Sequence, residues 1–169
     1  MAVIVQIVPN LPPAQAIPEA AAQMLEGMVV ARSAAIGARV ISPQDVLQAL
    51  RPGAAEELIS SDASVTRLAK SIGADAVLVV ALTGKSADRS TLTRNGTTTT
   101  VINHQLNGNW RLVNSASGEA VSGASFSDHV AQMDSNDPNQ MITLTKSLLN
   151  ELLDDSADFI ADSVGKAVA

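Results

Sequence analysis

The segment Ala76 to Leu82 reads AVLVVAL, an unbroken apolar run with Gly73 before it and Gly84 after it. A run this short and this rich in valine suits a strand buried on both faces. Ala2 to Val8 (AVIVQIV) has the same character. Strands of this kind need helices to cover them, and the sequence between the two runs supplies amphipathic segments. From Pro18, the residues Ile17, Ala21, Met24, Leu25 and Met28 fall on one helical stripe, with Ala20, Ala22, Gly27 and Ala31 keeping its flanks thin. Gly37 stands where a left-handed cap would end that helix. Ala38 to Ile41 reads as a short second strand. Ser42-Pro43-Gln44-Asp45 then opens a helix that carries Val46, Leu47 and Leu50 and stops before Pro52-Gly53. A further helix starts near Ser61-Asp62, with Val65, Leu68, Ala69 and Ile72 in helical register and Gly73 closing it. Both crossovers are long enough for parallel, right-handed connections.

The second half reads differently. Lys85 to Thr100 is polar and loop-like, with Asn95-Gly96 as a turn. Val101 to Val113 is a long strand with Leu106, Gly108, Trp110 and Leu112 on one face. Asn114 to Glu119 is a turn, and Ala120 to Val130 a returning strand. These last strands form an antiparallel meander. Ser135-Asn136-Asp137-Pro138 starts a final helix, in which Asp137 caps and Gln140 completes a capping box. It runs to about Lys166 and buries Leu144, Leu148, Leu149, Leu152, Leu153, Phe159, Ile160 and Val164. The expected fold is α/β (α+β-like), one domain over residues 1–169. It has a mixed parallel/antiparallel sheet of about five strands, order β-α-β-α-α-β-β-β-α, with helices packed against it.

Composition narrows the function. A net charge of −6 opposes nucleic-acid phosphate, and three aromatic side chains (Trp110, Phe126 and Phe159) offer few stacking platforms. No nucleic-acid partner is expected. The absence of cysteine excludes disulfides, thiolate metal sites and a cysteine nucleophile. No apolar run approaches the ~20 residues of a membrane-spanning helix. The opening residues lack a basic segment and a cleavage site, so they read as a cytoplasmic start or as a mature domain trimmed of its export signal.

Candidate chemistry is sparse. In SIGAD (Ser71 to Asp75) the order is helix, glycine, strand, the reverse of a phosphate-binding loop, and the helix end there is electronegative. A C-cap hinge accounts for it. The triplet Gly84-Lys85-Ser86 lacks the earlier P-loop glycine, which Val79 replaces. His104 and His129 have no metal-ligand spacing with Asp128 or Asp134. Ser127-Asp128-His129 has the residue types of a triad, but neighbouring strand residues point to opposite faces. Gly123-Ala124-Ser125-Phe126-Ser127 is not a nucleophile elbow. Asn95-Gly96-Thr97 matches a glycosylation sequon, a pattern that is common by chance. No cofactor, metal or catalytic residue is expected. One stripe stands out: Glu151, Asp155, Asp158 and Asp162 recur at spacings of four and three, with Asp154 beside them. It is either a solvated outer face or a docking face for a basic protein partner.

Taken in order, AVIVQIV, the small-residue helix, ARVISPQDVLQAL, LAKSIGADAVLVVAL and NGNWRLVNSASGEAVSGASFS resemble the envelope α/β domains of the TolB N-terminal domain, LpoB and CsgG. The resemblance covers nearly the whole chain. It implies a non-enzymatic periplasmic domain, exported and outer-membrane-tethered through a lipidated cysteine. Such a domain binds other envelope proteins, or self-assembles as a homo-oligomer. The chain departs from these relatives in lacking propeller repeats and a Pro-rich tail. RSTLTRNGTTTT also lacks the apolar alternate face of a membrane hairpin. The expected role is therefore an interaction domain that scaffolds or activates an envelope assembly in peptidoglycan synthesis or secretion, touching the membrane only through a lipid anchor. A homo-oligomeric structural subunit is one alternative. Another is a small hydrolase or ligand-binding domain using Asn103, His104, Asn107 and Asn109.

Overall fold

A computed structural model describes residues 1–50, 55–134 and 146–168. Its sheet has four strands, β1 (Ala2–Ile7), β2 (Ala76–Arg94), β3 (Thr97–Asn114) and β4 (Ala120–Asp134), in the spatial order β1-β2-β3-β4. β1 pairs in parallel with β2, Ala2 opposite Val77 through Ile7 opposite Leu82, and the other pairings are antiparallel. The helices are α1 (Glu19–Ala35), α2 (Pro43–Ala49), α3 (Ala55–Ser60), α4 (Asp62–Ile72) and α5 (Lys146–Val168).

The two apolar runs behave as their composition requires. Ala2 to Val5 and Val77 to Leu82 are all buried, because helices cover both faces of the sheet. Val3, Val5, Leu78, Val80 and Leu82 pack with Leu25 and Val29 of α1 and with Leu152, Leu153 and Ile160 of α5. Ala2, Ile4, Val77 and Val79 pack on the opposite face with Val46 of α2, Leu58 of α3, and Val65 and Leu68 of α4. Alternation along each strand divides its side chains between two cores. The expected residues Leu106, Trp110 and Leu112 join the first core.

The helix signals of α4 hold, whereas the Ser42 hydroxyl at the start of α2 makes no capping bond. The Ser61 hydroxyl accepts from the Ser64 amide at 3.2 Å, and Gly73 ends α4 in the left-handed region at φ 69°. The Ala74 amide donates to the Ala69 carbonyl (2.8 Å), and the Ser115 amide donates to the Asp75 carbonyl (2.9 Å). SIGAD thus turns a helix into a strand and anchors the β3–β4 turn. Asn114 organises that turn by accepting from the Ala116 amide at 2.8 Å.

Four expectations need correction. The segment 38–41 is not a sheet strand: Val40 and Ile41 pack against the cores, but its backbone bonds ahead of β1 at Met1, where Ile41 donates to the Met1 carbonyl (2.9 Å), and it then turns into α2 at Pro43. The sheet accordingly has four strands instead of about five. The stretch 85–100 is not a loop, because β2 and β3 run on as a paired ribbon to a turn at Asn95 (φ 51°) and Gly96 (φ 75°). Both central turn residues take positive φ, the geometry that Asn-Gly favours in tight hairpins. Residues 90–98 are exposed, so no core imposes an apolar alternation there. α3 was not anticipated. Finally, Phe159 is 43% exposed and is not a core residue; Leu47 of α2 is 69% exposed. The cap at Ser135 to Gln140 and the expected core residue Leu144 lie outside the described residues.

Candidate functional site

α5 buries Leu152, Leu153, Ser156, Ala157, Ile160, Ala161 and Val164. At 100° per residue, Glu151, Asp155, Asp158 and Asp162 fall on the opposite side, and all four are exposed, as is Asp154. The five expected carboxylates therefore form one solvent-facing ridge. They differ in their partners. Arg32 of α1 forms ion pairs with both Asp154 and Asp158. Lys166 pairs with Asp162 at 2.7 Å, one turn along the helix. Among the described residues, Glu151 and Asp155 have no such cation, so the uncompensated charge sits in the first half of the ridge. Exposed pairs of this kind contribute at most about 1 kcal/mol each, so they add little to stability.

Apolar surface flanks the ridge on both sides. Toward α1, a groove of about 750 Å³ lies between the two helix ends, with Ile36, Ala161, Gly165 and Arg32 among its lining residues. Ile36 is 57% exposed. A β-carbon at Gly165 would come within 3.2 Å of the Ile36 Cδ1, so the glycine lets this side chain lie close against α5. Toward β4, the exposed Phe159 ring sits 6.5 Å from Phe126, tilted by 46°. The sequence reveals the carboxylates through their spacing. It conceals Arg32 and Ile36, which reach the site only through the packing of α1 on α5.

The polar cluster near His104 is divided by the sheet. His104 is 3% exposed, faces the same side as Leu106 and Trp110, and lies 3.2 Å from Gln132 through Nε2. Asn103, Asn107 and Asn109 alternate onto the other face. There the Gln105 amide donates to Asn107 (2.8 Å) and Ser127 (2.6 Å), and Ser127 donates to Asn107 (2.8 Å). These bonds tie the three side chains to one another. Asp128 points to the helix side, accepting from Ser156 at 2.6 Å, so Ser127, Asp128 and His129 do not converge. Among the described residues no three His, Asp or Glu side chains gather to hold a metal ion. No described helix is long and apolar enough to cross a membrane.

No protein-family model matches the chain, and no curated protein matches its sequence. Several solved structures do resemble it. Lipoprotein GNA1162 from Neisseria meningitidis is 18% identical, with a TM-score of 0.48 over 96% of this chain and 98% of that one. A minor lipoprotein from Acinetobacter baumannii is 11% identical, with a TM-score of 0.47 over 98% and 92%. A PelC dodecamer from Paraburkholderia phytofirmans is 16% identical, with a TM-score of 0.41 over 95% and 83%.

Proposed function

We propose that this chain is a non-enzymatic protein-interaction domain of the bacterial envelope, which docks a basic partner on the α5 ridge. One observation carries the reading. Five exposed carboxylates share their surface with two large exposed apolar side chains: Ile36, 57% exposed, lines a groove with Asp158 and Asp162, and Phe159, 43% exposed, stands on the same helix. Apolar surface rimmed by charge is the composition of a docking site, with the carboxylates steering approach and the apolar groups holding the complex. The envelope setting is supported by the resemblance of the chain's ordered motifs to the TolB N-terminal domain, LpoB and CsgG. On this reading the protein works in the periplasm, tethered to the outer membrane, and scaffolds or activates an assembly for peptidoglycan synthesis or secretion.

Photo-crosslinking in cells tests it. Reactive groups at positions 36 and 159 should trap the same basic envelope protein, and the adduct should vanish when Glu151→Lys and Asp155→Lys are combined. Adducts formed only with cytosolic proteins, or none from either position, would overturn the reading. A second reading, a homo-oligomeric subunit, is favoured by β4. It ends the sheet order, and its Val121 is 57% exposed. Light scattering on the isolated protein decides between a monomer and a closed oligomer.

A further inference from the structure

The free edge of β1 carries a second surface. The Val8 amide donates to the Leu82 carbonyl at 3.0 Å, so even-numbered residues turn their backbone groups toward β2. Alternation turns those of Val5 and Ile7 outward. On that side the segment 39–41 reaches only Met1. Beyond it, α1 covers one face of the sheet and α2 the other. Between them a groove of about 690 Å³ runs along Val5, Gln6 and Ile7. Ile7, Ala22 and the 69% exposed Leu47 give it apolar surface. Its charged lining residues are Glu19 and Glu26, with no lysine or arginine among them.

Glu26 is the telling residue. The Val5 amide donates to its Oε2 at 3.3 Å, so a carboxylate occupies the place of a neighbouring strand's carbonyl. Burial raises the pKa of this carboxyl, the Val5 amide opposing the shift, and no cation pairs with it among the described residues. Sheet edges bind extended peptides through main-chain hydrogen bonds, and flanking side chains select among them.

We infer that this groove binds an extended, lysine- or arginine-bearing segment of a partner protein, added as a strand to the β1 edge with its cation on Glu26. A carbonyl of the incoming segment takes the Val5 amide and frees the Glu26 carboxylate to meet the cation. The chain's own net charge of −6 disfavours a second copy as the occupant. The surface is separate from the α5 ridge and goes beyond the function proposed above.

Fluorescence anisotropy with a labelled short peptide of alternating lysine and valine tests this on the intact protein. Saturable binding is expected, weakened about tenfold by Glu26→Gln and further when Glu19→Gln is added. Glu151→Lys with Asp155→Lys should leave it unchanged, so failure here and failure of the α5 reading are distinguishable. N-methylating the peptide amides along one edge should abolish binding, while methylating the other edge should spare it. Hydrogen exchange at the Val5 amide should slow in the complex. Circular dichroism checks that Glu26→Gln is folded. The inference is overturned if binding is not saturable, ignores Glu26→Gln, or tolerates methylation of either edge. Concentration-dependent dimerisation that Glu26→Gln abolishes would overturn it too, by assigning the edge to a second copy.

Discussion

The Nε of Arg111 donates to Asp62 Oδ1 at 2.8 Å, tying β3 to the first turn of α4. The same guanidinium donates to the Ile59 carbonyl (2.7 Å) and to the Leu58 carbonyl, so one side chain caps the end of α3 as well. Removing it leaves half-buried carbonyls without a donor. Arg111→Ala is expected to cost about 2–3 kcal/mol in urea unfolding. Arg111→Lys should recover little, because an ammonium lacks the planar fork. Asp62→Ala should cost less than Arg111→Ala, since the carboxylate is 40% exposed and water replaces it.

Gly108 lies under the Phe126 ring, its cross-strand partner. A β-carbon there would collide with that ring and approach the Ala81 carbonyl oxygen to 2.7 Å. Gly108→Ala should therefore destabilise by about 2–3 kcal/mol through overpacking. Adding Phe126→Leu should restore part of the loss. An unchanged thermal midpoint for Gly108→Ala alone would contradict the close approach of Phe126 to Gly108.

Ser156 joins α5 to β4. Its hydroxyl has one hydrogen, offered to Asp128 (2.6 Å) or to the Leu152 carbonyl (2.8 Å). Ser156→Ala removes a donor from a partly buried carboxylate and should cost about 1–2 kcal/mol. Asp128→Asn should cost less, and the double variant should show non-additivity in chemical denaturation.

Glu26 makes stability depend on pH in a defined direction. Burial raises its pKa above the ordinary 4.5, so the folded protein holds this proton more tightly than the unfolded chain. The proton's contribution is complete below 4.5 and is lost as pH rises through the raised folded value. Glu26→Gln should be more stable than the parent at neutral pH, and the difference should shrink toward pH 4.5. A difference that grows on acidification would contradict this.

Local signals were legible wherever one residue's backbone preference decided the outcome. Gly73, Ser61 and Asn95-Gly96 each do what their chemistry favours. The two apolar runs announced a sheet covered on both sides. The ribbon over 85–100 is not legible as strand because the apolar alternation that marks a strand comes from a core, and its outer part has none. Its threonines and its Asn-Gly turn were the available clues. The segment 38–41 carried strand residues but found only Met1 to pair with. At the candidate site, the spacing of Glu151, Asp155, Asp158 and Asp162 was readable as one helical face. The ion pairs of Arg32 and the exposure of Ile36 were not, since both arise from α1 lying beside α5 more than a hundred residues later in the chain.

By itself, then, the sequence determined the buried strands, the helix ends, the hairpin turns and the acidic face, because each depends on contacts within a few residues. Only the tertiary structure decided which carboxylates are neutralised, that His104 is buried apart from Asn103, Asn107 and Asn109, and that Glu26 stands on the open edge of β1. Those facts depend on which elements pack side by side, and long-range packing is set by the combined burial of many side chains, which no local pattern encodes.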